Sequence, residues 1–108
     1  MEIKKYKMEK EPWGECTLNF FVKEDKKFYY GKLFVPPKKS TPVDDEHSTE
    51  ECVFCANGSC TLILYKGDGE KEFVDVKEES AVMVPKNMKH QWQNNTDKEL
   101  ELIFVLYA

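Results

Sequence analysis

The chain has 108 residues, 41% of them hydrophobic and 13% aromatic, with a formal net charge of −4; this suits one domain with its own core and excludes a disordered segment. Acidic and basic residues are mixed along it, which argues against nucleic acid as the main partner, and no apolar run approaches the ~18–20 residues of a membrane span. All 16 basic residues are lysine, so bidentate guanidinium forks on carboxylate or phosphate are excluded within the chain.

The opening segment, MEIKKYKMEKE (1–11), is charged and reads as an edge segment or a short strand. It lacks the apolar stretch of a signal peptide, and a cytoplasmic setting is expected. Strand signals then dominate. The runs are CTLNFFV (16–22), KFYYGKLFV (27–35), ECVFCA (51–56), CTLILY (60–65), EFVDV (72–76), AVMVP (81–85), HQWQN (90–94) and ELELIFVLY (99–107). Each is rich in β-branched or aromatic residues. Turn chemistry separates them at EDKK, Pro36–Pro37, Asn57–Gly58, GDGEK, KNMK and NNTDK. No helix is expected. EKEFVDVKEE is charged enough for one, but the alternation of Phe73, Asp75 and Lys77 with Val74, Val76 and Glu78 fits a strand. Many short strands at this spacing predict an all-β domain, a sandwich, jelly roll or small barrel.

Asn57–Gly58 predicts a two-residue hairpin between the fourth and fifth of these strands. Cys55 and Cys60 would then be cross-strand neighbours with Cβ atoms ~4.5–5.5 Å apart. They are either small core thiols or a disulfide, and a reducing cytosol favours the thiols. Cys52, Phe54, Ile63 and Tyr65 would form an outward apolar strip on the same hairpin. Val53, Cys55, Cys60, Leu62 and Leu64 would point inward with Glu51, while Met88 and Trp92 share the face of His90. Those inward residues describe a largely apolar cup with a polar floor.

Two metal-site patterns compete in PVDDEHSTEECVFCANGSC (42–60). The thiolate pattern is the weaker. Cys52 and Cys55 lie three apart on a strand, so their side chains diverge, and no second CxxC follows. The other pattern is Asp45, His47 and Glu51 on a common side, with His90 at a strand start downstream. These histidines are the only two in the chain.

Here the sequence resembles a single-domain cupin, over roughly residues 28–107. The first cupin motif is matched by Asp45-x-His47, then Ser48, Thr49 and Glu50, then Glu51, six residues and Gly58. The second is matched by Glu79, five residues, Pro85-x-Asn87, two residues, His90, three residues and Asn94. Three positions depart from the pattern. Asp45 stands for the first histidine, and Glu79 and Asn87 for two glycines. Asn87 is a mild change, because asparagine tolerates left-handed backbone, whereas Glu79 predicts a rebuilt turn.

The resemblance implies a cupin-type double-stranded β-barrel. It implies a divalent metal held by His47, Glu51 and His90, with Asp45 as fourth ligand. Such a set favours Fe or Mn, with Ni or Zn as alternatives. If Asp45 is not a ligand, it is placed to act as a base. Trp92 either stacks on a ligand or packs the core. Two functions are consistent with this pattern. One is a metal-dependent dioxygenase, isomerase or lyase acting on a small polar metabolite. The other is a non-catalytic ligand-binding or dimerisation module. A homodimer is expected in either case.

Overall fold

The computed structural model describes residues 1–23 and 28–107. The EDKK turn, and with it Lys27 at the head of a predicted strand, lies outside the described residues. Nine strands follow in chain order: β1 (Glu9–Trp13), β2 (Cys16–Lys23), β3 (Phe28–Val35), β4 (Glu51–Asn57), β5 (Cys60–Gly67), β6 (Glu70–Val76), β7 (Ala81–Val84), β8 (Lys89–Gln93) and β9 (Leu100–Tyr107). Eight match the predicted runs to within two residues at either end. The ninth, β1, comes from the charged N-terminal segment and sits at a sheet edge. There is no helix among the described residues, hence none long and apolar enough to cross a membrane.

The strands form two antiparallel sheets, ordered β1-β2-β3-β9-β4-β7 and β6-β5-β8. From β4 onward the chain passes repeatedly between them: β4, β7 and β9 lie in the first sheet, β5, β6 and β8 in the second. This is a jelly-roll-like sandwich. Period-two alternation explains the core. Leu33, Val35, Val53, Cys55, Leu62, Val76, Val84, Trp92, Leu100 and Leu102 all turn inward and are buried.

The predicted β4–β5 hairpin does not form. β4 pairs with β7 and β9, and β5 with β6 and β8. Asn57–Gly58 is a crossover between sheets, with a register irregularity in β4 between Cys55 and Asn57. The Gly58 N–H donates to Glu78 Oε1 at 2.8 Å. The expected outward strip is therefore divided. Cys52 and Phe54 belong to the outer face of the six-stranded sheet, while Ile63 and Tyr65 belong to the other sheet. Ile63 is buried outside the core cluster.

The Glu79 turn is not rebuilt. Glu79 takes the left-handed conformation (φ 67°) that a glycine would take more cheaply, and Asn87 does the same (φ 61°). Asn94 has a structural role. Its buried amide donates to the carbonyls of Val35 (3.0 Å), Pro36 (3.1 Å) and Lys98 (2.8 Å). Its Oδ1 accepts from the Thr96 N–H at 3.0 Å. One side chain thus ties the β8–β9 corner to the end of β3.

Candidate metal centre

Residues 39–44 run alongside β8. The Thr41 N–H donates to the Trp92 carbonyl (2.9 Å), and the Asn94 N–H to the Lys39 carbonyl (2.9 Å). The run ends in a bridge between Asp44 and His90, with N–H···O bonds of 2.7 and 3.2 Å in the two directions. That bridge sets Asp44 directly opposite His90. The pairing with β8 ends there, and His47 lies on the same side as Asp44 and His90. Its carbonyl accepts from the Asn87 N–H at 2.7 Å, so the left-handed turn of the second motif anchors the histidine of the first. Glu51 opens β4, and its side chain faces the interior.

These elements bring Asp44, His47, Glu51 and His90 together, with one ligand atom from each inside a 4.8 Å span. His90 Nε2 lies 3.2 Å from Glu51 Oε1 and 3.4 Å from Asp44 Oδ2. His47 Nε2 lies 3.3 Å from the same Asp44 oxygen. The fourth donor of the cluster is thus Asp44, and Asp45, expected there from the motif spacing, is exposed and lies outside it. The motif spacing places Asp45 there by strand alternation, but the pairing with β8 fixes Asp44 opposite His90.

The donor chemistry suits a divalent cation. His90 is 1% exposed and Glu51 7%, yet His90 Nε2 and Glu51 Oε1 have no hydrogen-bond partner among the described residues. Buried polar atoms are nearly always satisfied, so two orphans facing each other point to a shared third atom. His90 Nδ1 lies 3.4 Å from the Met88 carbonyl, a contact that holds the proton on Nδ1 and leaves the Nε2 lone pair toward the cluster. Burial alone would push the His90 pKa down; the Glu51 and Asp44 carboxylates and the Met88 carbonyl outweigh it and leave it above the ordinary value.

A cavity of about 360 Å³ opens beside the cluster, with Asp44, His47 and Glu51 in its wall. Trp13, Leu18, Phe20, Tyr29, Leu33, Val53, Trp92, Leu102, Phe104 and Leu106 supply the apolar remainder, and Glu11 stands in the wall on β1. Of the expected lining residues, Val53 and Trp92 are present. Cys55, Cys60, Leu62 and Leu64 are instead buried in the filled core, and Met88 packs against it from the rim. They do point inward, but the open space lies toward β1, β2, β3 and β9. The period-two pattern of CTLNFFV and KFYYGKLFV carries the signal for Leu18, Phe20, Tyr29 and Leu33.

The cysteines stand apart from this centre. All four are free thiols. Burial pushes Cys55 up and Cys60 up to about 12, so neither is a ready thiolate at neutral pH. Cys55 and Cys60 are close enough to hydrogen-bond, but across the crossover rather than across a hairpin.

Among curated proteins, no sequence matches the chain. Solved structures do match it in shape. Oxalate decarboxylase from Bacillus subtilis superposes with a TM-score of 0.79 at 18% identity, over 93% of this chain and 28% of that one. Hydroxypropylphosphonic acid epoxidase from S. wedmorenis gives 0.78 at 11% identity, over 93% and 55%. The Drosophila melanogaster CENP-C cupin domain gives 0.73 at 12%, over 94% and 75%. The chain thus spans about half of the epoxidase and little more than a quarter of the decarboxylase, and at these identities the likeness shows the fold alone. The family model for the cupin domain matches residues 32–106, which covers both motifs, the metal-donor cluster and most of the sandwich: the chain belongs to the cupin family.

Proposed function

We propose that this cupin is a metal-dependent enzyme acting on a small molecule, with a divalent ion held by Asp44, His47, Glu51 and His90. The observation that carries this is the pair of buried atoms Glu51 Oε1 and His90 Nε2, 3.2 Å apart and without a hydrogen bond, in a cluster of four donors at the edge of an open cavity. Two imidazoles and two carboxylates are a mixed hard and borderline set that suits Fe or Mn, with Ni or Zn as alternatives. Such an ion, when bound, supplies Lewis acidity and an open coordination position. The chain's own contribution is positional. Met88 fixes the His90 tautomer, the Asp44–His90 bridge fixes one carboxylate, and the apolar walls exclude water from the bound molecule. Dioxygenase, isomerase and lyase chemistry all fit such a centre.

The test is metal analysis of protein purified without added metal and again after supplementation with Fe, Mn, Ni or Zn. Stoichiometric metal that disappears in His90→Ala supports the reading. Full occupancy in His90→Ala, or no metal under any condition, would overturn it.

A second reading, a non-catalytic binding or dimerisation module, has its own observation. Phe21, Tyr30, Val105, Cys52 and Met83 stand in register across five strands on the outer face of the six-stranded sheet. Tyr6 stacks on Phe21 at 4.9 Å. Tyr30 and Met83 are 38% and 53% exposed. Apolar surface this continuous is commonly covered by a partner, and a second copy of the chain is the partner proposed. Such a homodimer is compatible with catalysis in each subunit.

A further inference from the structure

The cavity carries information about charge that the metal-donor cluster does not. Its wall contains three acidic residues, Glu11, Asp44 and Glu51, and one imidazole, from His47; no lysine lines it among the described residues, and the chain has no arginine. If a divalent ion is bound, the carboxylates of Asp44 and Glu51 balance its two charges, and the carboxylate of Glu11 is left over. An anionic molecule entering this space would shed its water and meet a centre whose charge is already balanced, with no cationic side chain among the described wall residues to compensate, which is costly in an apolar cavity. The remaining wall is dominated by ring faces and branched aliphatics, among them Trp13, Phe20, Tyr29 and Phe104. Ring faces attract cations and apolar bodies, not anions.

We infer that the cavity takes a small amphipathic molecule without net negative charge: an aromatic or branched apolar body bearing a neutral or amine head group. This rests on the proposed function only in taking the same cavity as the substrate site. The body lies against the aromatic wall, the head group reaches the edge formed by Asp44, His47 and Glu51, and an amine gains the additional carboxylate of Glu11. Glu11 sits on the exposed edge strand β1, opposite Leu18, so it is accessible to a ligand entering from solvent. This excludes for this chain the organic acids and phosphonates as preferred ligands, even though an oxalate decarboxylase and a phosphonate epoxidase share its fold.

Both tryptophans of the chain, Trp13 and Trp92, line the cavity, so intrinsic fluorescence reports its occupancy directly. The experiment titrates the full chain, loaded with Mn and again after chelation, with three probes of one shape: phenethylamine, 2-phenylethanol and phenylacetate. Saturable quenching by the amine and the alcohol is expected, with phenylacetate at least ten-fold weaker. Glu11→Gln should bring amine and alcohol affinities closer together by several-fold and leave the alcohol unchanged. Phenylacetate binding as tightly as the other two, or no saturable response to any probe up to millimolar concentration, overturns the inference. An unchanged amine-to-alcohol ratio in Glu11→Gln removes Glu11 from it. Metal content measured on the same samples separates the two readings. Metal retained with phenylacetate preferred sinks the ligand class alone; metal absent with the amine preferred sinks the metal centre alone.

Discussion

At the scale of single residues, Asp44 and Asp45 are neighbours of one type with different surroundings. The bridge to His90 places the Asp44 carboxylate within 3.4 Å of both imidazoles, while Asp45 faces solvent. Asp44→Ala is expected to weaken metal binding at least ten-fold, and Asp45→Ala to leave it unchanged, as read by titration with Mn. Motif spacing alone points to Asp45; the backbone pairing that selects Asp44 is a tertiary fact with no local mark beyond the doublet itself.

His90 provides a pH test of the same centre. Its pKa in the folded, metal-free protein is raised above an unperturbed ~6.5. The stability from its ion pairs is therefore fully present below about 6.5 and is lost as pH rises through the folded value. Metal binding has the opposite sign, because it needs the neutral ring. The melting temperatures of metal-free and Mn-loaded protein should thus diverge as pH rises from 6 to 8. At a hundred-fold excess of metal over Kd, the gap corresponds to about 2.7 kcal/mol, roughly 10 °C or more for a domain this size. Equal shifts across that range, measured by scanning calorimetry, would count against His90 as a ligand.

Among the elements, the strands were legible because apolar alternation and turn residues are local signals. Which strand pairs with which was less so. Asn57–Gly58 has the chemistry of a hairpin turn, but β4 finds its partners in β7 and β9, late in the chain, and the turn becomes a crossover. The turn at Glu79 shows the same override in the other direction. Fold geometry demands a left-handed residue there, and the chain supplies a glutamate at a cost of ~1–2 kcal/mol. Glu79→Gly, at an exposed position, should raise stability by about 0.5–1 kcal/mol after the added chain entropy is subtracted, as seen by urea denaturation. Gly31 presents the opposite case. A Cβ there would lie 2.4 Å from Phe20 Cβ and 2.6 Å from the Asn19 carbonyl oxygen. Gly31→Ala should cost about 2 kcal/mol or more, because backbone must shift to admit it.

For the whole molecule, the question is what covers the outer face of the six-stranded sheet. The row from Phe21 to Met83 spans β2, β3, β9, β4 and β7 in a single register, and a two-fold contact would bury it on both copies at once. A dimeric mass at micromolar protein is expected by light scattering, and Met83→Lys should shift it toward the monomer without changing metal content. A monomeric wild type would leave the row exposed and remove the dimer from the proposal. Cys52 and Phe54 lie on this face, as strand alternation in β4 predicts. Ile63 and Tyr65 lie on the other sheet, because the hairpin that would join them to this face does not form.

The N-terminal hairpin has a wider consequence. Glu11, Trp13, Leu18, Phe20 and Tyr29 all precede residue 32, where the family-matched stretch begins, while His47, Glu51 and His90 all fall within it. The donor cluster and this part of the cavity wall therefore reside on separate lengths of polypeptide. The hairpin β1–β2 supplies one wall of the cavity and none of the four clustered donors: under the proposed function, grafting another sequence onto residues 9–23 would alter that wall and leave Asp44, His47, Glu51 and His90 as they are. One side of the cavity can therefore change its chemistry by substitutions confined to the first fifth of the chain, with the donor cluster untouched.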